Sequence, residues 1–294
     1  MVPLSHHLWR ETVASHEVPY EETDWFKLWE ELVLARKLAH AERDGFSFNR
    51  KERAEAFEAG SRKKNKEKGD MFLDFIRSDL KPGETVLDIG AGTGRWTVPL
   101  SKVAKSVTTI EPATAMLEIL KKNITEAGVS NVRVIQSSWE KADVTPHDIA
   151  ACAHAMYMSP DLAGFVKKME KNARRRCYMA MRLLPADGIM AELSFKIHGN
   201  RHDAPNFLIA YNALYSLGIY ANVILEDSGY HWADENIDSA FERAKKHLHL
   251  DSTEYDTLIR KTLKRRLRLE DGVYNWPDGM RSALIWWDVI PKSA

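Results

Sequence analysis

The sequence predicts an α/β protein built on a doubly wound, mostly parallel sheet. Two observations carry this. From Glu84 onward, short apolar runs alternate with amphipathic segments, the pattern of repeated strand–helix–strand units. The first run ends in Val86-Leu87-Asp88-Ile89-Gly90-Ala91-Gly92-Thr93-Gly94, a buried strand that turns through three glycines. Glycine lacks a Cβ, so such a turn can be tight and can let a ligand approach the backbone.

Strands are expected at 84–89, 106–110, 132–137, 147–154 and 176–184, with helices between them at about 94–104, 113–127 and 160–173. Pro82-Gly83 marks the entry turn, and Gly128 a helix end. A helix at 205–217 and a strand at 219–226 follow. The closing strand, at 281–290, contains Ala283-Leu284-Ile285-Trp286-Trp287. The charged stretch at about 228–279 is predicted to be an insertion with helices at 235–248 and 252–268.

Upstream, residues 23–43 form an amphipathic helix, with Trp25, Leu28, Trp29 and Leu32 on one face. Thr23 or Asp24 caps its start, and Asp44-Gly45 ends it. Residues 51–79 are helical with interruptions near Gly60 and Gly69, and Arg62, Lys63, Lys64, Lys66 and Lys68 make the stretch basic. The division expected is an N-terminal helical cap or lid over 1–70 and a main domain over 71–294.

Composition narrows the function. Lys+Arg and Asp+Glu both number 42, so no global charge points to nucleic acid or to an anionic membrane. No run approaches 18 apolar residues, and Met1 to Arg10 lacks an apolar leader core, which reads as a cytoplasmic protein that makes no membrane contact. Cys152 and Cys177 lie in apolar surroundings and read as buried core thiols. His198 and His202 with Asp203 lack a third ligand at the usual spacing, so no metal site is expected.

The glycine turn differs from the dinucleotide fingerprint, which places its third glycine one residue later. Asp88 also disfavours a pyrophosphate, because two anions repel. Glu111 ends the strand Val107–Ile110 and lies 19 residues past Gly92, where nucleotide-binding units place the acid that grips a ribose. A cationic ligand with a ribose fits this pattern.

The turn, with Asp88 and Glu111-Pro112, resembles motif I and the acidic second-strand end of class I S-adenosylmethionine-dependent methyltransferases. The resemblance covers about residues 71–227 and the closing strand. It implies a seven-stranded sheet with an antiparallel last strand, S-adenosyl-L-methionine as methyl donor and S-adenosyl-L-homocysteine as product. It also implies roles. Gly90, Ala91 and Gly92 let the methionine and ribose parts approach the backbone. Asp88 orients the loop and favours the cationic end. Glu111 accepts from the ribose hydroxyls, while Pro112 and Met116 pack on ribose and adenine. Ser138 falls where the family places an acid or amide for the adenine, and Trp139 either lines that pocket or belongs to the core. Asp148 to Tyr157 resembles motif IV, which makes His154 a site-lining residue and the candidate general base, with Tyr157 beside it. A packed, hydrogen-bonded core histidine is the competing reading.

The acceptor expected is a small molecule. Tyr211, Tyr215, His231 and Trp232 are candidates to line its pocket. An RNA or protein methyltransferase is the alternative, docking through the basic run Arg260 to Arg268, although Glu254, Asp256, Glu270 and Asp271 surround that run and suggest a solvated helix face. An aminopropyl transferase would show more acids near the fourth strand. A non-enzymatic S-adenosylmethionine-binding protein is the remaining reading.

Overall fold

A computed structural model describes residues 23–41, 49–185, 187–202, 204–226, 232–277 and 279–289. Among the described residues, ten strands divide between two sheets. Strands β1 (Thr85–Ile89), β2 (Ser106–Ile110), β3 (Val132–Ile135), β4 (His147–Ala153) and β5 (Ala173–Leu183) pair in parallel in the order β3-β2-β1-β4-β5. β6 (Asn222–Leu225) completes this sheet with β10 (Arg281–Asp288), which inserts antiparallel between β5 and β6. The seven-stranded sheet with one reversed strand is thus the predicted fold. β7 (Ala233–Asp234), β8 (Arg268–Glu270) and β9 (Val273–Asn275) form a small antiparallel sheet within the insertion.

The central strands are apolar on both faces because helices cover both. Helices α1 (Trp25–Ala41), α2 (Lys51–Lys68) and α3 (Met71–Asp79) precede the sheet. Gly69, at φ +70°, separates α2 from α3, as the sequence suggested, but α2 runs unbroken through Gly60, where an interruption was also expected. Next come α4 (Thr97–Ser101), α5 (Thr114–Glu126) and α6 (Leu162–Lys171). On one face, Leu87 and Ile89 of β1 pack with Phe165 and Val166 of α6 and with Trp29 and Val33 of α1. On the other, Val86 packs with Phe72, Leu73 and Ile76 of α3 and with Leu100 of α4.

Two elements differ from expectation. β5 begins at Ala173, three residues earlier than predicted, and takes in the run Arg174-Arg175-Arg176. Those arginines are placed by ion pairs: Arg174 with Asp148, Arg175 with Asp79 and Glu84, Arg176 with Asp79 and Asp288. The stretch after β5, expected to be a loop, contains α7 (Ile189–His198). It precedes α8 (Phe207–Ser216) and the insertion helices α9 (Ile237–His247) and α10 (Asp256–Arg266). Ile189, Met190 and Leu193 of α7 share a separate core with Phe241 of α9, Ile259 and Leu263 of α10, and Trp276. α7 and the insertion therefore form one packed unit beside the carboxyl end of the main sheet.

α1 is docked deeply. Trp29 is fully buried, stacks on Tyr157 with ring centroids 6.2 Å apart, and donates its indole N–H to Ser159 O at 2.9 Å. Residues 1–22 and 42–48 of the expected cap, including Asp44-Gly45, lie outside the described residues, as do Asp203 and His231.

Candidate active site

The glycine turn joins β1 to α4 at the carboxyl edge of the sheet, beside the end of β2. Gly90 and Ala91 donate their N–H groups to Ile110 O, at 2.8 and 3.1 Å. Gly92 N–H donates to Glu111 Oε2 at 2.8 Å, and Gly94 N–H to Ala91 O at 2.9 Å. All four amides are committed within the protein. With these committed, the turn offers fewer N–H groups to cradle a phosphate than an open glycine loop does.

Gly90 and Gly92 have φ of +72° and +57°, a region L side chains rarely adopt. At Gly90 space is also decisive: a Cβ there would stand 2.1 Å from Ala155 Cβ. The turn thus presses directly on Ala155, two residues past β4. A Cβ at Gly92 would come 3.7 Å from the ring of Phe57, so α2 lies alongside the turn. α2 is held there by polar contacts. Asn123 of α5 donates to Glu58 Oε1 at 3.0 Å and to Thr93 O at 2.8 Å, and Asn49 caps α5 by accepting from Thr114 N–H at 3.0 Å. Sequence reading missed Phe57 and Glu58, because nothing local to α2 signals contact with the turn.

Two buried acids flank the turn. Asp88 is 1% exposed, and its Oδ2 accepts from Thr97 Oγ1 at 2.6 Å, which ties the strand end to α4. Burial pushes its carboxyl up to about 6, aided by the negative charge of Glu111 and opposed by the Thr97 hydrogen bond and by Arg95. Arg95 and Trp96 Nε1 also contact Asp70 Oδ2, the acid that caps α3.

Glu111 accepts from Gly92 N–H through one oxygen and from Ala113 N–H at 2.9 Å through the other. Burial raises its pKa, and those two hydrogen bonds oppose the rise. A carboxylate offers about four lone-pair positions. Two are used here, and one on each oxygen remains.

The other expected cofactor residues divide. Pro112 is exposed beside Glu111. Met116 is buried against Ala54 of α2, together with Ala113 and Ala115. Ser138 is half-buried, and its hydroxyl bonds Glu140. Trp139 packs edge-on to Phe165, donates its indole N–H to Phe165 O at 3.2 Å, and carries Lys168 Nζ 4.7 Å from its ring centre. Its ring belongs to the core beneath α6.

His154 follows β4 with φ +57°, and its N–H donates to Ala180 O at 2.9 Å. Its ring stacks on Tyr157 at 6.2 Å. The Tyr157 hydroxyl accepts from Arg182 N–H, and the Arg182 guanidinium lies 4.7 Å from the Tyr157 ring centre. Burial raises the Tyr157 pKa to about 12, so the phenol stays protonated near neutrality. These contacts run from Gly90 through Ala155, His154 and Tyr157 to Arg182. Arg182 opens on a cavity of about 670 Å³ between α1, the end of β5, the start of α7 and the insertion.

Of the proposed acceptor residues, Trp232 lines this cavity. Tyr211 instead donates its hydroxyl to Ala221 O at 3.0 Å, and Tyr215 is exposed. His198 and His202 take separate partners, Leu248 O and Asn206. The basic run is built into the insertion: Arg260 pairs with Asp238, Arg265 with Glu192, and Arg266 with both Glu192 and Asp187. No helix among the described residues is long and apolar enough to cross a membrane.

Residues 86–175 match a family described as a methyltransferase domain. Over 81 residues the chain is 37% identical to a probable ribosomal RNA small subunit methyltransferase A of Methanosphaera stadtmanae, a match spanning 27% of this chain and 30% of that protein. It is 46% identical over 66 residues to an rRNA adenine N-6-methyltransferase of Bacteroides fragilis, spanning 22% of this chain and 24% of the relative. The chain therefore covers under a third of either relative. Among solved structures, a putative methyltransferase from Bacillus halodurans superposes with a TM-score of 0.52 at 17% identity, covering 74% of this chain and 97% of that one. The YcgJ protein of Bacillus subtilis gives 0.50 at 18% identity with the same coverage.

Proposed function

We propose that this chain, whose residues 86–175 match a methyltransferase domain, is a class I methyltransferase that transfers a methyl group from S-adenosylmethionine to a small-molecule acceptor. The observation that carries this reading is the pairing of the turn with Glu111. The amides of Gly90, Ala91, Gly92 and Gly94 are spent internally, and a buried carboxylate with one open lone-pair position on each oxygen stands 2.8 Å from Gly92 N. That donor set fits a ribose joined to a cation and does not fit a dinucleotide.

When bound, S-adenosylmethionine supplies a methyl on a sulfonium, so the acceptor's lone pair takes the methyl carbon while the bonding electrons return to sulfur. The protein's part is largely placement. Glu111 holds the ribose, Gly90 and Gly92 keep side chains out of the approach, and ionised Asp88 favours the positive charge. His154 lines the path to the acceptor. α1 and the insertion wall the cavity against water.

The second reading, an RNA acceptor, is favoured by the names of the two curated relatives. Against it, Arg260, Arg265 and Arg266 of the basic run are paired with Asp238, Glu192 and Asp187, and the cavity is of small-molecule size. One experiment separates the readings. The protein is incubated with S-adenosylmethionine carrying a deuterated methyl, together with either a low-molecular-weight metabolite extract or total RNA. S-Adenosylhomocysteine and labelled product are then followed by mass spectrometry. Label in a small metabolite is the expected result. Label in RNA establishes the second reading, and no S-adenosylhomocysteine above a protein-free control with either mixture removes both.

A further inference from the structure

The cavity beyond Tyr157 has a chemical character that the cofactor site does not dictate. Its polar lining is basic: Arg36, Arg182, Arg243 and Lys246, with His247 and His249. No aspartate or glutamate is among its described lining residues. The rest of the wall is largely apolar, including Leu32, Ile189, Trp232 and Trp276.

The cations differ in their commitments. Arg243 is clamped by Asp234, with Nε and Nη2 within 3.1 Å of the carboxylate oxygens, while Trp276 Nε1 donates to the same carboxylate at 2.7 Å. This arrangement fixes two cavity walls. Arg182, by contrast, makes no ion pair with any described residue, and its guanidinium rests over the Tyr157 ring. That ring also contacts His154, next to the turn's contact at Ala155. Arg182 is therefore a cation on the cofactor side of the cavity, and Arg36 also acts on Tyr157 from there. The first turn of α7, whose cap residue Gly188 has no side chain, forms part of the same wall and adds the positive end of a helix dipole.

We infer that the acceptor is a small organic acid, an apolar body carrying a carboxylate that Arg182 anchors. This rests on the methyltransferase reading of the adjoining site. A guanidinium presents a planar fork of donors matched to a carboxylate. The apolar walls and the two tryptophans take up the body, and a volume of about 670 Å³ admits a molecule of several fused rings or a medium-length chain. A neutral analogue that displaces water from Arg182 without pairing its charge is rejected, because a desolvated charge left unpaired is costly.

The test uses matched probes on the full chain saturated with S-adenosylhomocysteine: 2-naphthoate, and 2-naphthamide of the same shape. Calorimetry is expected to show the acid binding at least about tenfold tighter than the amide, the scale of one charge-assisted hydrogen bond. Arg182→Gln is expected to erase the preference while the affinity for S-adenosylhomocysteine stays unchanged. Equal binding of acid and amide overturns the inference. So does binding of neither probe by protein that binds S-adenosylhomocysteine, or a preference that survives in a folded Arg182→Gln. Should that variant not fold, the acid–amide ratio of the unaltered protein decides alone. An acid preference in protein that fails to bind S-adenosylhomocysteine would leave the anion site standing and remove the methyltransferase reading.

Discussion

Asp88 holds a charge that the fold does not favour, and Asp88→Asn exposes the consequence. The carboxyl is 1% exposed, and its pKa rises from an ordinary 3.8 to about 6. Between those values the folded chain keeps the proton and the unfolded chain releases it. The folded state binds more protons, so stability falls as pH rises from about 4 to about 6 and is level thereafter. A shift of roughly two units corresponds to about 3 kcal/mol. Asparagine retains an oxygen to accept from Thr97 Oγ1, now 2.6 Å from Asp88, and cannot ionise. The variant is expected to match the parent near pH 4 and to exceed it by about 2–3 kcal/mol at pH 7, read by urea denaturation across that range. S-Adenosylmethionine affinity is expected to move the other way. A cation beside the turn favours ionised Asp88, so parent affinity should rise with pH through about 6, and the variant should lose both the rise and about tenfold in affinity. A variant less stable than the parent by the same margin at every pH would refute this reasoning, because the carboxylate would then stabilise the fold.

Three further outcomes follow from the packing. Gly90→Ala is expected to cost at least about 1–3 kcal/mol of stability in thermal denaturation and to weaken S-adenosylhomocysteine binding, since its Cβ must displace Ala155 in an unfavourable backbone region. Trp29→Ala should destabilise the chain by about 3–5 kcal/mol; an unchanged melting temperature with reduced turnover would instead mark α1 as a lid. His154→Ala should lower the single-turnover rate less than about 100-fold and keep the parental pH profile, whereas a loss of about 10²–10⁴ with a flattened profile would assign it as the general base.

The sheet was legible because its strands are buried on both faces and read as largely apolar runs, as in Ile149 to Cys152 and, around Asp88, Val86 to Ile89. The sequence did not reveal what depends on distant partners. The charged start of β5 looks unlike a strand until Asp79, Glu84 and Asp288 are placed beside its arginines. α7 escaped notice because its apolar face is completed by α9 and α10, some fifty residues on. The short strands β7, β8 and β9 take their register from pairs such as Ala233 with Asn275. At the site, Asp88, Gly90, Gly92 and Glu111 could be found because their spacing is local to one strand–turn–helix–strand unit. Phe57, Arg36 and Arg182 could not, because separate elements bring them to the site and no spacing in the chain records it.

The most direct test is a calorimetric titration of S-adenosylhomocysteine into the parent protein and into Glu111→Ala. Saturable one-to-one binding by the parent is expected, weakened about ten- to a hundredfold in a folded variant by loss of the charge-assisted bonds to the ribose. No saturable binding by the parent, or equal affinity in the two proteins, would contradict the assignment of the turn and Glu111 as the site that holds the methyl donor.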